Sequence, residues 1–238
     1  MKKILVALLS FAFVAAQAQS ADEVIQKYSA AMGGLDAFNK VKTAKFSSTL
    51  TTQGKELPLT IQVVNGKASR TDLDVSGQIV TTVYNNGTGW KINPYAGAPT
   101  PTEATSAELA SMKLQAFLTN NLMDYKSRGH QVEILGQEDL EGGIKAYKIK
   151  LVSKDDGKVT NYFINVADYL LVKTTSTREI AGTEYPTESF YSDFKAVNGL
   201  KFCMHYVQKV EGKVFQDVKY SNVELNIPID EKIFVMPK

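Results

Sequence analysis

Few residues of this chain stand in arrangements that could perform chemistry. Cys203 and His205 lie two apart on one strand face, where a thiol and an imidazole could hold a metal or form a nucleophile pair. Their face also carries Lys201 and Lys209 and reads as solvated. His130 and His205 are the only histidines, and neither has a second ligand at zinc or iron spacing. Asp155-Asp156-Gly157 is too short for a calcium loop and falls where a hairpin must turn. Glu138, Asp139 and Glu141 read as a solvated acidic turn in the same way. No Gly-x-Ser-x-Gly elbow, phosphate-cradling loop or dinucleotide fingerprint occurs. The pattern predicts no catalytic residue, no metal site, no cofactor and no enzyme.

The elements that would position these side chains are mostly strands. Ser20 with Glu23 reads as a capping box opening a helix, whose apolar positions Val24, Ile25, Tyr28 and Met32 recur at helical spacing. Gly33-Gly34 ends it, and a second short helix is expected over 35–41. From there the apolar period falls to two. Turn pairs at Asn65-Gly66, Asn86-Gly87, Asp156-Gly157, Asn198-Gly199 and Glu211-Gly212 separate the runs. Strands are predicted near 44–53, 57–64, 67–74, 78–84, 89–93, 131–138, 144–152, 158–165, 168–177, 187–195, 200–209 and 213–225, as an antiparallel meander. One interruption runs from Asn93 to Pro101 into a helix over 106–126, opened by Thr105 and Glu108. Its stripe of Leu109, Met112, Phe117, Leu118, Leu122 and Met123 should lie against the sheet.

Lys2 and Lys3, the apolar run Ile4 to Ala16 and the small-x-small site Ala16-Gln17-Ala18 read as a signal peptide over 1–18. Residues 19–238 are then expected as one domain, exported to the periplasm and not membrane-anchored. Removing the two lysines leaves 25 basic and 25 acidic residues, so nothing electrostatic points to nucleic acid. A single cysteine excludes an intramolecular disulfide.

Alternation defines apolar faces: Leu57, Leu59, Ile61 and Val63 share one, as do Tyr147, Ile149 and Leu151, and Leu200, Phe202, Met204 and Tyr206. A long antiparallel sheet with one apolar face must curl around something, and little helix is available to cover it. Two outcomes remain open at this point, a packed core and an internal apolar cavity. Trp90 reads equally as core, and Arg70 beside Asp72 as a surface ion pair.

Three stretches then come into view together: Asn86-Gly87-Thr88-Gly89-Trp90 through Asn93-Pro94, the strand Tyr162-Phe163-Ile164-Asn165-Val166, and the ending Ile229-Asp230-Glu231-Lys232-Ile233-Phe234-Val235-Met236-Pro237. In order and spacing they resemble the LolA-like periplasmic carriers of outer-membrane lipoproteins and their lipoprotein-sorting relatives, over residues 22–238. The resemblance implies a mainly β (α+β) fold, a curved, incomplete antiparallel β-barrel with short helices as a lid over an apolar cavity. It implies a soluble periplasmic carrier or chaperone that binds the acyl chains of a lipoprotein or lipid and sorts them toward the outer membrane. An inner-membrane donor and an outer-membrane acceptor would be its partners. Arg70 matches the family's strand arginine that latches the lid, although Thr71 stands where the family usually has proline. Gly33-Gly34 and the short C-terminus look more like the sorting relatives than the carrier. The alternative for the same architecture is an envelope-stress sensor or a regulatory lipid- or protein-binding module. Candidate cavity residues are Leu59, Ile61, Trp90, Leu118, Leu122, Tyr147, Ile149, Leu151, Phe202, Met204 and Tyr206.

Overall fold

The computed structural model of the chain describes residues 19–180 and 182–237; the expected signal peptide, 1–18, lies outside the described residues. Helix α1 (Ala21–Met32) opens on the Ser20–Glu23 capping box and buries Val24, Ile25, Tyr28 and Met32. Gly33 ends it at φ 111°, and a Cβ there would lie 2.6 Å from the Gly199 carbonyl oxygen, so only glycine fits. Helix α2 (Leu35–Lys40) follows and buries Phe38.

The first run of strands is β1 (Thr43–Thr52), β2 (Lys55–Val64), β3 (Ala68–Val75), β4 (Gln78–Asn85), β5 (Thr88–Asn93) and β6 (Ala98–Glu103). Helices α3 (Ser106–Gln115) and α4 (Tyr125–Arg128) come next. The second run is β7 (Gln131–Leu140), β8 (Ile144–Val152), β9 (Val159–Asn165), β10 (Leu171–Ile180), β11 (Thr183–Val197), β12 (Leu200–Val210) and β13 (Lys213–Leu225). All join one antiparallel sheet in the order β6-β5-β4-β3-β2-β1-β13-β12-β11-β10-β9-β8-β7. The β1–β13 pairing closes the two runs into one surface, curved as an incomplete barrel with β6 and β7 at its edges. Register shifts at Ser47/Ser48, Ile134/Gly136 and Gln208/Lys209 add local bend and twist.

Three elements depart from the sequence expectation. Strand β6 occupies part of the Pro-containing interruption; Pro99 and Pro101 are tolerated because β6 is an edge and needs only one ladder of hydrogen bonds. The helix expected over 106–126 stops at Gln115. There the chain is taken by hydrogen bonds outside the helix: Asn65 accepts from the Leu118 amide, the Gly66 amide donates to the Ala116 carbonyl, and Asn120 caps the Met123 amide. Strand β10 starts at Leu171, after a turn in which Tyr169 takes φ 58°.

The main core lies on the concave side, where α1, α2 and the 118–125 segment pack on β7–β13 and β1 around Phe38, Ile149, Ile164 and Phe202. A second cluster sits on the opposite face. Ile61 pairs with Thr71 and Gln62 with Arg70, and Arg70 in turn with Val83 and Val83 with Trp90, so Arg70, Val83 and Trp90 point away from Ile61. The C-terminal turn Glu231–Phe234 covers that outer face. Trp90 Nε1 donates to the Phe234 carbonyl at 3.1 Å, and Phe234 is 2% exposed against Ala68, Val83 and Trp90.

Phe234→Ala should cost about 3–5 kcal/mol in urea unfolding, the range for emptying a fully buried aromatic site. Because Trp90 is the sole tryptophan, its emission should shift to the red in the same variant. An unchanged midpoint and spectrum would show that the C-terminal turn does not seal this face.

Candidate functional site

Three adjoining compartments lie between the concave face and the inserted segment, with volumes of about 300, 170 and 330 Å³. Leu118 lines all three. The first is walled by Phe46, Ile61, Val63, Phe202, Tyr206 and Tyr220 and roofed by Gln115, Phe117 and Leu118. The second runs deeper, under α1 and α2, past Tyr28, Met32 and Phe38. The third lies on the far side of Phe117 and Leu118, against Tyr162 and Arg128. A separate 530 Å³ cleft between α3 and the β8–β9 turn mixes Leu109 and Leu151 with Lys113, Asp155, Asp156 and Lys158, and is the more polar surface.

The sequence-predicted residues divide between these places. Ile61, Phe202, Tyr206 and Leu118 line the compartments. Leu59 shares the strand face of Ile61 and is half-buried. Leu122, Tyr147, Ile149 and Met204 are buried in the concave core, and Leu151 is buried there with its edge on the polar cleft. Trp90, expected in the cavity wall, faces the opposite way and holds Phe234, because its register with Val83 places it on the outer face. Arg70, expected to latch the lid, stands over Trp90 with its guanidinium carbon 5.7 Å from the ring. It donates to the Ile233 carbonyl at 3.0 Å and pairs with Asp72 at 2.7 Å, so what it fastens is the C-terminal turn.

The inserted segment has its own arginine. Arg128 donates to Asn121 Oδ1 at 2.7 Å and to Thr119 Oγ1 at 3.1 Å, pairs with Asp124 at 3.2 Å, and lies 4.3 Å from the centre of the Phe117 ring. Planar, forked and always charged, it shapes the 117–124 stretch around itself. Sequence reasoning passed over it because all its partners lie within the stretch read as one helix. Phe46, Phe117, Tyr191, Cys203 and Tyr220 were also missed. Cys203, expected on a solvated face, borders two compartments, and burial pushes its thiol up. A signal existed in the tyrosines, with Tyr191, Tyr206 and Tyr220 placed one per strand on β11, β12 and β13.

The electrostatics of the site are governed by burial in its walls. Burial pushes the Tyr28, Tyr162 and Tyr191 phenols above their ordinary value, and Tyr220 up to about 12. The charges of the segment sit at its rim. Lys91 and then the Thr105 amide hold Glu108, the α3 cap, down at about 2. Lys126 and Tyr125 hold Asp22 low, tying α4 to α1. Nothing in the lining pairs a nucleophile with a base; the arrangement suits enclosing an apolar group.

Solved structures of known proteins share this architecture. A LolA superfamily protein from Nitrosomonas europaea is 14% identical, with 92% of this chain and 98% of that one covered at a TM-score of 0.59. A domain assigned by name to outer membrane lipoprotein sorting, from Vibrio parahaemolyticus, is 10% identical, with 90% and 97% covered and a TM-score of 0.63. A DUF1329 family protein from Desulfovibrio piger is 11% identical, with 92% and 98% covered and a TM-score of 0.55. No protein-family model matches the sequence, and no curated protein matches it. The fold is therefore LolA-like, an incomplete antiparallel barrel with a helical insertion.

Arg128→Met should speed hydrogen exchange at amides 117–124 by about ten-fold or more while β1–β3 exchange unchanged, since hydrogen bonds to a charged group carry about 1.5–3 kcal/mol. Equal exchange would remove Arg128 from this role. His130 supplies a second expectation. Its Nδ1 accepts from the Lys154 amide at 3.1 Å, which puts the proton on Nε2, buried without a partner among the described residues. Burial lowers its pKa, so the folded state prefers neutral imidazole, while the unfolded chain takes up a proton near pH ~6.5. Its stabilising share is complete above that pH and is lost as pH falls toward the depressed folded value. The melting temperature should drop from pH ~7 to ~5, less steeply in His130→Gln, with equal slopes counting against it.

Proposed function

We propose that the protein is a soluble carrier that shields acyl chains of lipoproteins or lipids in the periplasm and sorts them toward the outer membrane. In this reading residues 1–18 are removed on export and 19–238 work as one domain, without catalysis or a resident cofactor. Cargo would come from an inner-membrane donor and leave to an outer-membrane acceptor. The observation that carries the proposal is the set of compartments separated by Leu118 beneath a segment that spans the open side of the barrel. An acyl chain in water costs about 0.8 kcal/mol per methylene, and a wall of Phe46, Ile61, Val63 and Phe202 removes that cost. Ligand pockets usually measure about 300–1,000 Å³, so each compartment alone is at or below the lower end. Withdrawal of Phe117 and Leu118 would join them into a space of ordinary ligand size.

A fluorescent palmitoylated peptide titrated into the mature protein should bind saturably. Ile61→Asp, which puts a charge into the first compartment, should weaken binding by about ten-fold or more, and Leu118→Trp, which fills the junction, should do the same with the fold retained by circular dichroism. No saturable binding by the unaltered protein would overturn the carrier reading.

A further inference from the structure

The walls of the first compartment carry a second kind of chemistry. Beside the aliphatic and phenylalanine surface, neutral hydrogen-bonding side chains run across β10 to β13 from the cavity wall. Tyr191 lines the cavity and shares a hydrogen bond with Thr174 at 3.3 Å, and Tyr206 does the same with Ser189 at 3.2 Å. Gln208 donates to Ser189 at 3.5 Å, and Gln216 donates to Gln208 at 3.4 Å. Thr174 and Ser189 are buried, whereas the two glutamines are half-buried. Tyr220, in the same wall, has no hydrogen-bond partner for its hydroxyl among the described residues.

Among the described residues, the lining of this compartment also contains no Lys, Arg, Asp or Glu. Of the lysines on the neighbouring strands, Lys173 pairs with Glu188 at 2.5 Å, Lys209 lies over the outward-facing Phe190 ring at 4.9 Å, and Lys201 lines the adjoining second compartment and not this one. A carboxylate drawn into the compartment would therefore lose its hydration without meeting a cation, which is among the most expensive things a dry wall can hold. An ester or amide carbonyl meets the opposite situation, since its oxygen accepts one hydrogen bond from a phenol or amide and carries no net charge. Desolvation strong enough to push the Tyr191 and Tyr220 phenols upward acts on a fatty-acid carboxylate in the same sense, against the anion.

Resting on the carrier reading above, we infer that the compartment selects acyl chains with an uncharged ester or amide linkage over free fatty-acid anions. The chain lies on Phe46, Ile61 and Phe202, and the linkage lies on the polar track that begins at Tyr206 and Tyr220.

The test is competition against the fluorescent palmitoylated peptide with two probes of equal chain length, uncharged 1-monopalmitoylglycerol and palmitate, at pH ~8 and below micelle-forming concentrations. Monopalmitoylglycerol should compete about ten-fold or more better than palmitate, as the uncompensated charge requires. Tyr206→Phe should narrow that difference, and Gln208→Lys should raise palmitate affinity by supplying the missing cation. Palmitate competing equally or better in the unaltered protein overturns the selectivity and leaves the carrier reading standing. A difference that neither variant changes overturns the placement of the polar track. Failure of the peptide and both probes to bind overturns the carrier reading and the selectivity together.

Discussion

One topological constraint governs the molecule: β6 and β7 follow each other in the chain yet form opposite edges of the sheet. Every other connection between neighbouring strands is a local turn or, for β1 and β13, a pairing of the chain's two ends. The 104–130 segment joins these two edges across the open side of the barrel. It runs along the concave face, where its apolar side chains pack, so the connection becomes the cover. Because α3 and α4 supply only part of a continuous layer, the cover meets the sheet at discrete points and leaves compartments between them.

The outer face shows why those compartments persist instead of the sheet wrapping the other way. Over β2 to β5 it is sealed by the C-terminal turn, with Phe234 inserted beside Trp90 and Arg70 fastening the Ile233 carbonyl. Over β8 to β12 it is sealed by lysine stems. Lys148 and Lys173 lie 5.3 and 5.7 Å from the Phe163 ring, which is 2% exposed on an otherwise polar surface. Glu138 and Glu188 hold those ammonium groups in place. Both halves of the outside are thus finished by parts of the chain itself, and the concave side is where apolar wall remains in contact with free space.

The two ends of the cover are fastened differently from its middle. At the rim, Lys91 pairs with Glu108 and Lys126 with Asp22, the latter with side chains 65% and 49% exposed. Ion pairs this open contribute little to stability and weaken with salt. The middle stretch, 117–124, is gathered by Arg128, which is 15% exposed and, among the described residues, bonds only within the segment, so it keeps that stretch in one shape without itself tying it to the barrel. The polar links from that stretch to the sheet and α1 are neutral hydrogen bonds, from the Leu118 amide to Asn65 and from Asn120 to the Tyr28 hydroxyl. Burial of Leu122 and Met123 in the main core supplies the larger hold, so the stretch is shaped from within by Arg128 and fixed to the barrel by packing.

Local patterns were enough to read much of this from the sequence. Period-two alternation and Gly-containing turns located twelve of the strands, because both depend on residues near one another in the chain. The capping boxes at Ser20 and Thr105 marked two helix starts for the same reason. Apolar character at Ile61, Phe202 and Tyr206 also followed from alternation within single strands. Which side each face turned to did not. Trp90 looks the same in sequence whether it meets a ligand or Phe234, and the choice rests on its pairing with Val83 and on a C-terminal turn 144 residues away. Where the inserted helix stops was decided by Asn65, 53 residues before Leu118. Distant pairings of this kind leave no local period, so the tertiary structure alone made Arg70 a clasp for the C-terminus and Leu118 the divider of the cavity.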